Sequence, residues 1–83
     1  MPTICMFRGI KIFINWRDHM PPHFHATYGG EEVTVLIHEI EVLEGSIPNK
    51  QLKMLLGWAA LHQDELLENW ELALKQQQLF AIE

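Results

Sequence analysis

Residues 17–28 read RDHMPPHFHATY, so three of the chain's five histidines, His19, His23 and His25, fall within seven positions beside Arg17. Imidazole supports two kinds of chemistry. Its neutral nitrogen binds zinc, nickel, copper or iron, and near neutral pH it gives or takes a proton. Residues two apart on a strand point the same way, so His23 and His25 make a natural ligand pair for zinc or nickel. The same side chains suit a phosphate site without any cofactor. Cleaving RNA through its 2′-hydroxyl needs a base, an acid on the opposite side of phosphorus, and a cation for the developing charge. His23 and His25 are too close on one face to act against each other. His19 with His25, or His23 with His38, fits the geometry better, with Arg17 or Lys11 as the cation. The phosphate reading therefore makes His19, His23, His25 and Arg17 catalytic, as in a metal-independent ribonuclease, and gives Lys11, Arg17 and His38 to substrate binding. The third reading is structural: the histidines cap a turn, bond neighbouring backbone, or face a partner protein.

The elements that must position these groups come in two regimes that meet near Gly45. Before it, Ile, Val, Thr, Phe and Tyr alternate with period two, which predicts strands. Thr3–Arg8 and Ile10–Trp16 flank Gly9 as a tight hairpin, with Ile10, Ile12, Ile14 and Trp16 on one face and Lys11, Phe13 and Asn15 on the other. His23–Tyr28 and Glu31–His38 flank Gly29-Gly30, a two-residue turn that needs the positive φ glycine tolerates. That turn sets a register. Tyr28 faces Glu31, Ala26 faces Val33 and Phe24 faces Val35, and these apolar pairs mark the core side. The opposite side then carries His23, His25, Thr27, Glu32, Thr34, Leu36 and His38, so His38 joins His23 and His25 as a third metal ligand. Met20-Pro21-Pro22 cannot lie in a central strand, because proline has no ladder N–H. It reads as a stiff lead-in that aims His19 at the hairpin. Ile40–Leu43 is a candidate for a further short strand.

After Gly45 the apolar spacing turns helical. Ser46 and Pro48 are start signals. Leu52, Leu55, Leu56 and Ala59 form one stripe, and Leu66, Leu67, Trp70, Ala73 and Leu74 another. One helix over 49–77 would run about 43 Å, too long for a domain of this size. A break near His62-Gln63-Asp64 is expected, with Asp64 capping the second helix and His62 capping or packing at the junction. Trp58, Trp70, Leu66 and Leu67 read as core, and Glu65, Glu68 and Glu71 as a solvated face or the complement of a basic partner. Leu79–Ile82 is either a short closing strand or a tail. The fold expected is α+β: an antiparallel sheet of about four strands over residues 3–43, then two C-terminal helices over about 48–77 packed on one face.

The 83 residues suit one small domain, and 48% hydrophobic composition makes it globular. Cys5 is alone, so no internal disulfide forms. No signal peptide or bilayer-length apolar run is visible, which makes the cytoplasm the expected compartment and a membrane an unexpected partner. The net charge of −5 argues against a general nucleic-acid binder. The charge is uneven, however. Residues 1–30 carry Arg8, Lys11 and Arg17 against Asp18 alone, while residues 31–83 carry three lysines against ten acids. The histidine cluster lies in the basic third. A chain this small with three tryptophans is expected to cover apolar surface against its own copy or another protein.

Several segments together resemble one family: the opening Met1-Pro2-Thr3-Ile4, the strand Gly9–Asn15, and Trp16-Arg17-Asp18-His19-Met20-Pro21-Pro22-His23-Phe24-His25-Ala26. Glu41–Gly45 and Trp58–Glu71 extend the match to nearly the whole chain. The family is the small prokaryotic one called domain of unknown function 4160. The resemblance implies a compact α+β protein over residues 1–83, encoded beside another small protein in pairs of toxin–antitoxin type. It implies no catalytic residue.

Overall fold

The computed structural model describes residues 2–82. Five strands come first: β1 (Thr3–Phe7), β2 (Ile10–Phe13), β3 (His23–Tyr28), β4 (Glu31–Leu36) and β5 (Glu41–Gly45). Two helices follow, α1 (Asn49–Leu61) and α2 (Gln63–Leu74). The strands form one antiparallel meander in the order β1-β2-β3-β4-β5. The α+β order is as expected, with the short strand after Ile40 completing a sheet of five.

Local chemistry accounts for the strand ends. Arg8 and Gly9 both have positive φ, 50° and 81°, which matches the right-handed twist of a two-residue hairpin. The Gly29-Gly30 turn does the same, and the β3–β4 register is the expected one, with Phe24 opposite Val35, Ala26 opposite Val33 and Tyr28 opposite Glu31. Gly45 is the glycine that packing demands. A Cβ there would lie 2.3 Å from the Glu32 carbonyl oxygen, and its φ is +81°.

One sheet face and the two helices enclose the core. Ile10, Ile12, Ile14, Phe24, Ala26, Val33 and Val35 meet Leu55, Trp58, Ala59, Leu66, Trp70 and Ala73 there. Each fully buried branched or aromatic side chain contributes about 1.5–3 kcal/mol of transfer free energy. Trp16 does not join them. β2 ends at Phe13, the alternation stops, and Trp16 is 52% exposed.

The helix break falls at His62, where its ring packs on Trp58 and its Nδ1 lies 2.7 Å from Glu65 Oε1. Asp64 is not the cap. It lies inside the first turn of α2, where its charge favours the helix N-terminus, and His62 holds the cap position without a side-chain bond to the backbone of that turn. Residues 79–82 form no strand, yet they are tied down. Asn69, fully buried, bonds both the N–H and the carbonyl of Phe80, and the Ile82 N–H reaches the Ile4 carbonyl at 2.8 Å. Among the described residues, no helix is long and apolar enough to cross a membrane.

Candidate metal centre

The nine residues 14–22 connect β2 to β3, and backbone bonds tie them to the body at three points. Ile14 N–H donates to Pro2, Arg17 N–H to Ala73 at the end of α2, and the Pro22 carbonyl accepts from Ile37. Arg17 bends the path with a left-handed φ of 57°. The connection therefore crosses the start of β3, and Asp18 comes down over the histidines.

Asp18 is the hub. Its Oδ2 lies 2.9 Å from His23 Nε2 and 3.1 Å from His25 Nε2, while its Oδ1 accepts the backbone N–H of His19 at 3.0 Å. The three side chains Asp18, His23 and His25 offer one ligand atom each within 4.8 Å of one another. His23 is buried, and the Asp18 and His25 side chains are each 14% exposed.

The far nitrogens are held as well. His23 Nδ1 is 2.7 Å from the Pro21 carbonyl. A carbonyl only accepts, so Nδ1 carries the hydrogen, and in the neutral ring Nε2 is then a bare lone pair facing a carboxylate oxygen. That contact needs a positive centre between the two atoms, a proton or a metal ion. His25 Nδ1 also has oxygens outside, Glu32 Oε2 at 3.4 Å and Thr34 Oγ1 at 3.3 Å, the latter a hydroxyl that can donate or accept. Two imidazoles that turn Nε2 inward and anchor Nδ1 on an oxygen outside have the outer bonding pattern of metal-bound histidine.

Aromatic walls fix both rings. Phe13 stacks on His25 at 5.1 Å and 16°, and Trp70 lies against His23 at 5.1 Å. On the sheet face opposite the main core, Phe13, His23 and Thr34 are buried as well. Burial by itself would raise the Asp18 carboxyl. The bond from His25, the charge of His23, the His19 N–H and the bond from His23 outweigh it and hold the carboxyl below the usual carboxylate range.

The expected site residues are thus only partly gathered. His23 and His25 converge, and His19 sits beside them with its ring 5.8 Å from that of His23 and its side chain 89% exposed. His38 is not in the cluster. The ladder ends at Leu36 opposite His23, the chain turns, and Gln63 of α2 holds the carbonyls of Ile37 and His38, which leaves His38 exposed. Arg17 is exposed, and Lys11 places its Nζ 5.7 Å from the centre of the Phe13 ring. Asp18 is the member that sequence reasoning missed. Its signal was faint but present: the one acid among the first thirty residues, next to a histidine.

A small antiparallel meander backed by two helices, with a His–His–Asp cluster where the β2–β3 connection crosses β3, is the class of protein these features define. The chain belongs to the family described as Domain of unknown function (DUF4160), whose family model matches residues 9–71. That span holds β2 to β5, α1, most of α2 and all three members of the cluster. No curated protein and no solved structure matches the chain.

Proposed function

We propose that this protein binds one divalent transition-metal ion, zinc or nickel by preference, through Asp18 Oδ2, His23 Nε2 and His25 Nε2. The observation that carries the reading is the pair of inward Nε2 atoms sharing one carboxylate oxygen while both Nδ1 atoms are engaged outside. The spacing supports it. Neighbouring ligand atoms around such an ion lie about 3.0 Å apart in octahedral and about 3.3 Å apart in tetrahedral geometry, against 2.9 and 3.1 Å here. Two imidazoles on one tetrahedral ion have ring centres about 5.2 Å apart, and those of His23 and His25 are 5.1 Å apart.

The phosphate reading draws less support. One nitrogen of each expected acid–base pair, His23 Nε2 and His25 Nε2, is turned onto Asp18, and Glu32 flanks His25 from the other side. A phosphate entering there would meet two carboxylates on a chain of net charge −5. A role in a two-protein pair is compatible with metal binding. Trp16 and Met20, 52% and 64% exposed, bracket the segment that carries Asp18, and a partner protein would bury such side chains.

Titration calorimetry on the chelator-treated protein tests the proposal. One equivalent of zinc or nickel should bind, His23→Ala and His25→Ala should each lose it, and His38→Ala should keep it. Absence of binding in the wild type, or equal loss in His38→Ala, overturns it.

A further inference from the structure

We infer that His19 supplies a fourth ligand, closing the ion into a three-histidine, one-aspartate set. The inference rests on the metal reading above and adds a residue to it. A tetrahedral ion held by Asp18, His23 and His25 has one position left, and its occupant decides the character of the site. A water there leaves it open for catalysis, whereas a fourth side chain makes it a closed, structural site.

The surroundings favour closure. Phe13 covers the His25 ring and Trp70 packs on the His23 ring, so apolar walls occupy two sides. The segment carrying Asp18 and His19 lies over the ligand atoms.

His19 is placed to fill the position. Its backbone N–H and its Nδ1 both face Asp18 Oδ1, at 3.0 and 3.3 Å. The ring stands 5.8 Å from that of His23, against about 5.2 Å for two imidazoles on a tetrahedral ion. The ring has to turn inward to ligate, because His19 lies outside the set of ligand atoms within 4.8 Å of one another. Nothing buried has to move, because the side chain is 89% exposed and exposed side chains change rotamer within nanoseconds. Closure would also fix the segment that carries Asp18 and His19, and with it the exposed Trp16 and Met20 on either side.

Cobalt(II) is the probe, added to the full chain after chelator treatment, with the wild type and His19→Ala compared. In the wild type we expect the intense visible bands of four-coordinate cobalt and three strongly shifted imidazole N–H resonances in the proton spectrum. His19→Ala should keep its fold, bind cobalt more weakly by at least the roughly 10- to 100-fold that loss of an outer-shell partner costs, show two such resonances, and recover the wild-type bands when free imidazole is added. Wild-type binding with two resonances, and unchanged affinity and bands in His19→Ala, puts water at the fourth position and overturns this inference alone. Failure of the wild type to bind cobalt, zinc or nickel overturns the metal reading and this inference with it.

Discussion

Asp18→Asn separates a metal centre from a buried ion pair, because the two readings assign opposite costs to it. Asparagine has the shape of aspartate. Its amide oxygen can still accept from the His19 N–H, and its amide N–H₂, in place of Oδ2, can donate to the bare Nε2 of His23, whose own hydrogen stays on the Pro21 carbonyl. His25 Nε2 keeps Asn15 Nδ2 as a neighbour at 3.5 Å. The metal-free variant therefore loses about one net hydrogen bond, roughly 1 kcal/mol, or about 4–8 °C in Tm for a domain of this size. Ion binding behaves differently. An ion at a hundred times its Kd stabilises the wild type by about 2.7 kcal/mol, which is a rise of about 10–20 °C. The variant should show none of this rise, having lost the one anionic ligand of the set. The assay is thermal unfolding by circular dichroism, with and without zinc, on both proteins. A metal-free loss of about 3–5 kcal/mol, the usual cost of breaking a buried ion pair, together with a wild type indifferent to zinc, would refute the reasoning and make the cluster purely structural.

Three further outcomes follow from the structure. In the metal-free wild type, the folded Asp18 carboxyl lies below its unfolded value, so its contribution is fully present above the ordinary aspartate range near pH 4 and is lost as pH falls through the folded value. Between about pH 5 and 2, the wild type should accordingly lose more stability than Asp18→Asn in urea titrations, and parallel curves would contradict this. Gly45→Ala forces a Cβ against the Glu32 carbonyl at a positive φ, and should cost about 2 kcal/mol or more by chemical denaturation, whereas a neutral result would mean that the β4–β5 edge yields freely. Asn69→Ala removes both bonds to Phe80 and should cost about 2–3 kcal/mol. It should also speed amide exchange at Phe80 and Ile82, and unchanged exchange there would show that the tail is held by its apolar contacts instead.

What the chain order alone determined is considerable, and it is all local. The glycine pair at 29–30 and the alternation on either side were enough for the β3–β4 register, since a slip of one residue would turn Phe24, Ala26, Val33 and Val35 out of the core. The same register put His23 and His25 on one face, and the change of period after Gly45, with the length of the apolar stripe, required two helices broken near His62. Tertiary structure decided the rest. Asp18 reaches the histidines because the β2–β3 connection is bonded to Pro2, Ala73 and Ile37, contacts spread over most of the chain that no periodicity encodes. His38 leaves them because Gln63, twenty-five residues on, holds its carbonyl in a turn. Trp16 and Met20 stay exposed although their types suit a core, since the connection that carries them lies outside the sheet's alternation. Periodicity specifies which side of an element a residue occupies. Which loop covers that side depends on non-local backbone bonds, and the third member of the cluster came from there.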